Sequence, residues 1–373
     1  MKFIHLADLH LGKKIGDYSL DDVQKDALDF VVNLCKTRSI NLVVIAGDIY
    51  DSKNPSVSAT NLLDYFLSEL HKNKIKVLMI SGNHDQEDKL HFGSQILVND
   101  GIHIVTNVID SLKPIVIEDV NFYLLPYINK YDVKNEFKED SIETLDDAIK
   151  YVIDKMNIKT SEKNVIVSHQ AVLGSTKERP SGSETSVSVD KDGYIGGEDI
   201  VSSLLYKDFN YVALGHIHKA CNISHNMRYP GALLKYHKDE ANYKKTFTIV
   251  DTNDFSIDEV PFKPLRDVVM LEGTFDEVKK RVEYANDYVF FKLGDTNYVE
   301  DAMSKLKLIF PYACNISYSS IKNNYTYSES YQNIEEVSKF DLFSDLYKSK
   351  MDEDMSDNQK EIIKGLIKEI WEE

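Results

Sequence analysis

Tryptophan occurs once in 373 residues, cysteine three times, and lysine plus arginine number 44 against 61 aspartates plus glutamates. Cys35, Cys221 and Cys314 share no C-x-x-C spacing, and an odd count is a poor disulfide framework, so the thiols read as small buried apolar residues. No apolar run approaches the ~18 residues needed to span a bilayer, and the N-terminus enters a strand without the basic and apolar regions of a signal peptide. The expectation is a cytoplasmic protein with no membrane partner. The shortage of positive charge, net −17, argues against indiscriminate binding to polyanions. The deficit is uneven, however: residues 327–373 hold 13 acidic and 6 basic side chains, a net of −7. Local charge therefore decides more than the total.

At this length the chain exceeds one ordinary core and is expected to fold as two or three units. Leu20, Val23, Ala27, Leu28, Val31 and Leu34 recur at helical spacing, with Ser19 as N-cap and Asp21 and Asp22 in the first turn. A second helix is expected from about Ser56 to His71, and a third near 89–99. They alternate with strands at 42–46 and 75–80, the βαβαβ order of a layered α/β fold. Short strands around 102–105, 115–118 and 121–125 lead to a helix around 142–157, and further strands follow at 163–168, 211–215, 246–250 and 255–261. Gly174 to Ser183 is too rich in Gly, Ser and Pro for a core and reads as a mobile surface loop. Pro261 and Pro264 mark a boundary, after which the order strand, helix, strand, helix, strand suggests a small α+β domain. Beyond the polar stretch Asn323–Tyr327, Ile362, Ile363, Leu366, Ile367, Ile370 and Trp371 form an apolar stripe on a charged helix. The expected division is 1–265, 266–322 and 323–373.

Five apolar runs stop abruptly at residues with metal-ligand chemistry. Lys2 to Ala7 is followed by Asp8 and His10, Leu42 to Ala46 by Gly47, Asp48 and Asp51, and Val77 to Gly82 by Asn83 and His84. Val165 to Ser168 is followed by His169, and Tyr211 to Gly215 by His216 and His218. A lone strand-end histidine is commonly no more than a hydrogen-bonded structural residue. In an open α/β sheet, though, ligands gather at the carboxyl ends of the strands. Five such endings are expected to converge on one crevice, with Asp48 at its middle.

In chain order, D-x-H, G-D-x-x-D, G-N-H-D, a single histidine and G-H-x-H form a pattern that resembles the calcineurin-like metallophosphoesterases. Within that superfamily the segments Phe3–Gly12, Ala46–Asp51, Ser81–Asp85, Leu214–Lys219 and Tyr229–Gly231 are most similar to the SbcD nucleases, the bacterial branch of the double-strand-break repair nucleases. The likeness covers residues 1–265 well and the remainder in layout only. One departure is Ala232, which stands where the family usually has serine.

The resemblance implies an α/β fold: a four-layer αββα metallophosphoesterase sandwich, a small α+β capping domain and a helical C-terminal tail. It implies one divalent ion held by Asp8, His10, Asp48 and His218, and a second by Asp48, Asn83, His169 and His216, with Asp48 bridging. Imidazole, carboxylate and amide ligands suit manganese or a similar ion. A pair of ions about 3.5–4 Å apart activates water and clamps phosphate oxygens. His84 then serves the phosphate or the leaving oxygen as proton donor or electrostatic stabiliser, and Asp51 holds its ring. The implied activity is a manganese-dependent DNA exonuclease and endonuclease that processes double-strand ends and hairpins in repair, recombination and replication, in complex with an SbcC-type ATPase. A homodimer is a further implied arrangement. Lys13, Lys14, Lys53, Lys177, Arg179 and Lys219 follow ligand motifs or lie in the 174–183 loop, and are expected to form the DNA track. Two competing readings share the motifs. A small-molecule phosphodiesterase or phosphatase uses the same fold, but has no need of the long extension after Pro264. A metal-free scaffold has no need of a complete ligand set.

Overall fold

The computed structural model describes residues 1–173, 200–319, 340, 343–344, 347–348 and 354–371. The Gly174 to Ser183 loop and the Asn323–Tyr327 stretch lie outside the described residues. The chain separates into two compact units, Met1–Leu293 with Val299–Ser317, and Gly294–Tyr298 with Tyr318–Glu373.

The first unit is built on Leu42–Ala46, all five of whose side chains are buried. A strand with no polar face needs cover on both sides, which suits the middle of a parallel sheet. It pairs in parallel with Lys2–Leu6 on one edge and Lys76–Ile80 on the other. Ile102–Val105 extends the parallel set, and Thr246–Asp251 and Ser256–Pro261 add antiparallel strands at the opposite end to complete six. A second six-stranded sheet centres on Lys163–His169, flanked in parallel by Val120–Leu125 and Tyr211–Gly215.

Successive side chains of a strand face opposite ways, and each sheet uses both faces. Phe3, Val44, Leu78, Phe122, Val165 and Tyr211 form an apolar layer between the sheets, with Phe3 edge-on to Phe122 at 5.6 Å. On the other face of the first sheet, Ile4, Val43, Ile45 and Val77 meet Leu28, Val31, Leu63 and Phe66 of the helices Asp21–Arg38 and Val57–Lys72. Behind the second sheet, Ile166, Val212 and Leu214 meet Ile149 and Val152 of the helix Leu145–Lys155. The layers are helix, sheet, sheet, helix, as the αββα expectation has it.

Local differences from the sequence reading lie at helix ends. Ser19 is not the N-cap of Asp21–Arg38; that position is Leu20, and Ser19 Oγ accepts only from Asp21 N at 3.2 Å. Ser56 does cap Val57–Lys72, accepting from Ala59 N at 3.2 Å. The third helix breaks into Glu87–His91 and Ser94–Leu97 at Gly93, whose φ of 77° no helix continues through. Lys130–Phe137 is an additional helix, started by an Asn129 and Asp132 capping box.

A three-stranded sheet of Val268–Gly273, Tyr288–Leu293 and Ala313–Tyr318 stands apart from the other two. Tyr288 and Tyr312 pack on Tyr18 at 6.2 and 5.6 Å, and Arg266 pairs with Asp22. These contacts fasten it to the start of Asp21–Arg38. In the second unit, Ser356 and Gln359 form a capping box for Asp357–Trp371, with Ser356 N donating to Gln359 Oε1 at 2.8 Å. Ile362 and Leu366 of its stripe are 54% and 45% exposed. Among the described residues no helix is long and apolar enough to cross a membrane.

Candidate metal centre

The strands Lys2–Leu6, Leu42–Ala46 and Lys76–Ile80 are parallel neighbours, as are Lys163–His169 and Tyr211–Gly215 in the facing sheet. Their carboxyl ends therefore open at one place. The backbone there is strained: φ is 53° at Asp8, 43° at His10, 50° at Asp48 and 103° at His216. Each such residue costs roughly 1–3 kcal/mol and persists only where its surroundings over-determine it.

Those surroundings are visible. Asp8 N and His10 N donate to Gly47 O and Asp48 O, each at 3.0 Å. Buried Gln24 donates to His10 O at 2.7 Å and Leu9 O at 3.2 Å, accepts from Gly12 N at 3.1 Å, and is joined on Leu9 O by the Tyr236 hydroxyl. Buried Asp85 accepts from Ile49 N, Tyr50 N and Gly82 N at 3.1, 2.9 and 2.9 Å, stitching the Gly47 to Asp51 loop to the Gly82 to Asp85 loop. Gly47, at φ 86°, leaves no room for a Cβ beside the His169 ring, and a Cβ on Gly82 would strike the Asp48 carboxylate.

The side chains then meet in two groups that share Asp48. His10 Nε2 lies 3.1 Å from His218 Nε2 and 3.6 Å from Asp48 Oδ2, and Asp8 stands with these two histidines in one cluster of potential ligands. His169 Nε2 lies 3.4 Å from Asp48 Oδ2 and 3.1 Å from Asn83 Oδ1, which His216 Nδ1 also approaches at 3.2 Å. All seven residues expected as ligands are thus brought together. Asp8, His10, Asp48, His169, His216 and His218 are all buried.

The tautomers say what belongs between them. His169 Nδ1 donates to Ala46 O at 2.7 Å, and His218 Nδ1 donates to the Glu240 carboxylate at 3.1 Å. His10 Nδ1 faces Asp51 Oδ1 at 3.4 Å. With protons on the outer nitrogens of His169 and His218, the inner Nε2 atoms of His10, His169 and His218 crowd one another or an oxygen and each calls for a proton or a metal ion between them. Such an arrangement is repulsive unless cations occupy the centre, and imidazoles fixed from behind in this way are the usual company of a metal ion. The residues fit a pair of divalent ions.

The electrostatics agree. Burial above all pushes the Asp8 carboxyl up, and it stands at about 6. Burial acts the same way on Asp48, but the charge and hydrogen bond of His169, with the charges of His10 and His84, hold it well below the usual carboxylate range. Burial disfavours charge on His169, yet Asp48 and Asp8 raise it to about 9. Burial brings His10 down to about 4 and His216 to about 3. The centre calls for positive charge beside Asp48 while His10 and His216 stay neutral, the state in which an imidazole binds metal.

His84 lies at the edge, half-buried, with its ring 4.9 Å from that of His10. The expected hold by Asp51 is present in a different form: His84 Nδ1 donates to the Asp51 main-chain carbonyl at 3.0 Å. The Asp51 carboxylate instead pairs with Lys13 Nζ at 2.6 Å and faces His10, and against its burial these partners bring its pKa to about 2. Of the expected DNA track, Lys13 is thereby placed beside the centre. Lys14 and Lys53 are exposed and Lys219 is half-buried next to His218; Lys177 and Arg179 lie outside the described residues. Gln24, Tyr236 and Glu240 escaped the sequence reading because each reaches the centre from a distant element with no motif around it. Asp85 stood inside G-N-H-D and could have been found there.

Residues 1–220 match the family model of the calcineurin-like phosphoesterases, whose members work with divalent metal ions. A curated relative from Staphylococcus epidermidis, the SbcD subunit of the nuclease SbcCD, is 31% identical over 98% of each chain. Among solved structures, a dimetal phosphatase from Danio rerio is similar at TM-score 0.38 and 14% identity, covering 71% of this chain and 98% of its own. A Thermus thermophilus protein is similar at 0.39 and 10%, covering 70% and 98%. Matched by the family model over residues 1–220 and by the staphylococcal nuclease over nearly its whole length, the chain belongs to the calcineurin-like phosphoesterases and, among them, to the SbcD nuclease family.

Proposed function

We propose that this chain is a manganese-dependent DNA nuclease and the nuclease subunit of an SbcCD-type complex that processes double-strand ends and hairpins in repair, recombination and replication. The observation that carries the reading is the pair of ligand groups that share Asp48, with His84 held beside them. Asp8, His10, Asp48 and His218 would hold one divalent ion, and Asp48, Asn83, His169 and His216 the other. Bound there, the ions would polarise the phosphodiester and lower the pKa of water.

The chain's own groups do the rest. Ala46 O and Glu240 hold protons on the outer nitrogens of His169 and His218, keeping their inner nitrogens available, and the Asp51 carboxylate faces the outer nitrogen of His10 at 3.4 Å. The Asp51 carbonyl holds a proton on His84 Nδ1, which leaves Nε2 to stabilise the phosphate or protonate the leaving oxygen. Lys13 brings an ammonium to the rim, and Lys14, Lys53, Lys177, Arg179 and Lys219 complete the proposed phosphate track. The acidic total does not oppose this, since much of the deficit sits in residues 327–373.

Purified chain incubated with manganese, labelled linear and hairpin DNA, and separately a chromogenic phosphodiester tests the proposal. DNA cleavage that chelation abolishes is expected, with binding that weakens as salt rises, by a slope of about 0.9 for each phosphate contacted. Hydrolysis of the chromogenic ester with DNA left intact would make the chain a small-molecule phosphodiesterase. Inertness toward both would make it a scaffold.

The Staphylococcus epidermidis relative is one component of a complex. For this chain the proposed partner is an SbcC-type ATPase, docked on the tail from about Tyr331 to Glu373, and the proposed location is the cytoplasm. Within the tail unit Lys364 lies 4.7 Å over the Phe340 ring and Gln359 donates to the Tyr347 hydroxyl at 3.0 Å, while Ile362 and Leu366 stay exposed. Exposed apolar residues at helical spacing suit a helix laid in a groove. Truncation after Asn324 is expected to leave metal-dependent cleavage of short DNA intact and to abolish co-purification with the ATPase. An undiminished complex would rule the docking role out.

A further inference from the structure

We infer that Glu240 is a positioning residue for the metal centre, acting through His218 on one of its two ions. The inference rests on the proposed role of Asp8, His10, Asp48 and His218 as ligands. Glu240 is wholly buried at the end of the 3-10 turn Lys238–Glu240. A carboxylate taken out of water costs several kcal/mol unless it is well partnered. Its partners here are specific. Oε1 accepts from His218 Nδ1 at 3.1 Å, Oε2 accepts from Tyr236 N at 3.1 Å, and Lys245 Nζ stands 4.0 Å from Oε2.

An ionised carboxylate can only accept, so it fixes the His218 proton on Nδ1 and the lone pair on Nε2. That nitrogen is the one 3.1 Å from His10 Nε2. The negative charge behind the ring also makes Nε2 a stronger donor to a cation. Two other imidazoles of the centre are held by main-chain groups, His169 by the Ala46 carbonyl and His84 by the Asp51 carbonyl, which no substitution removes. Glu240 is a removable support, and it serves one ion only.

The turn has a separate anchor. Lys235 Nζ donates to Ala241 O at 2.8 Å and to Asp267 Oδ2 at 2.9 Å. Losing the Glu240 charge therefore need not release the turn, and losing Lys235 loosens the turn without touching His218. These two effects can be told apart by experiment.

Manganese chloride titrated into the full-length chain, followed by calorimetry and by electron paramagnetic resonance, provides the test. The wild type should take up two ions with the spectrum of a coupled pair. Glu240→Gln, near-isosteric and uncharged, should weaken one of the two by about 10–100-fold and leave the other within twofold. At limiting manganese its spectrum should be that of a single isolated ion, its kcat on DNA should fall with KM unchanged, and excess manganese should restore the rate. Lys235→Met should lower the melting temperature with both affinities kept. Unchanged affinities in Glu240→Gln, or equal loss of both ions with the melting temperature, would overturn the inference while leaving the dinuclear centre standing. A wild-type chain that takes up no manganese would overturn the centre itself and this inference with it.

Discussion

Asp48→Asn is expected to abolish metal-dependent cleavage and empty both ion sites, whereas His84→Gln should abolish cleavage with both sites filled. The difference follows from where each side chain points. Asp48 Oδ2 stands 3.6 Å from His10 Nε2 and 3.4 Å from His169 Nε2, so one carboxylate faces both ligand groups. An amide removes half of the carboxylate charge that would balance two divalent ions. The fold should survive, because the amide oxygen can still accept the bond that Asp48 Oδ1 takes from His84 N at 2.9 Å. His84 sits outside the seven, its Nδ1 committed to the Asp51 carbonyl at 3.0 Å. Removing a group that stabilises or protonates the reacting phosphate costs about 10²–10⁴ in rate and no metal. Metal analysis after dialysis, beside DNA cleavage rates, separates the two. Equal metal loss in both variants would strip His84 of its proposed role.

The centre could be read from sequence because parallel strands buried on both faces advertise themselves as unbroken apolar runs, and each of these five stops at a proposed ligand. Asp48 at the end of Leu42–Ala46 needed no long-range knowledge, only the rule that strand ends converge. The helices were legible where one face is apolar, as in Val57–Lys72. Lys130–Phe137 was not, since it buries Val133 alone and offers no stripe. The break at Gly93 was hidden for another reason: apolar residues continue through it, and only backbone geometry shows that Phe92 and Ile96 belong to different turns. Asp51 shows the limit most clearly. Sequence places it three residues after Asp48 and cannot say whether its carbonyl or its carboxylate meets His84. Gln24, Tyr236 and Glu240 lie further out of reach, because what they hold was brought near them by the fold.

Asp85→Ala should give the largest stability loss of any single change at the centre, together with loss of metal. Asp85 is 4% exposed, and its two oxygens take three main-chain bonds from two different loops. Truncation leaves Ile49 N, Tyr50 N and Gly82 N buried without that acceptor. Each orphaned donor costs roughly 1–3 kcal/mol, so about 3–9 kcal/mol is expected in urea unfolding. A domain's whole stability is only about 5–15 kcal/mol, so the variant stands at the edge of folding. Asp85→Asn is the informative partner. Its amide oxygen can keep one or two of the bonds, but its NH2 group must then face a main-chain donor, and the Asp48 and Asn83 loops lose their common tether. Manganese affinity should therefore fall further than the modest stability loss would suggest, because the proposed ligands Asp48 and Asn83 sit on the two loops that Asp85 joins. Affinity unchanged in Asp85→Asn while stability drops would mean that strand pairing alone keeps the loops in register, and that the carboxylate serves folding without serving the metal.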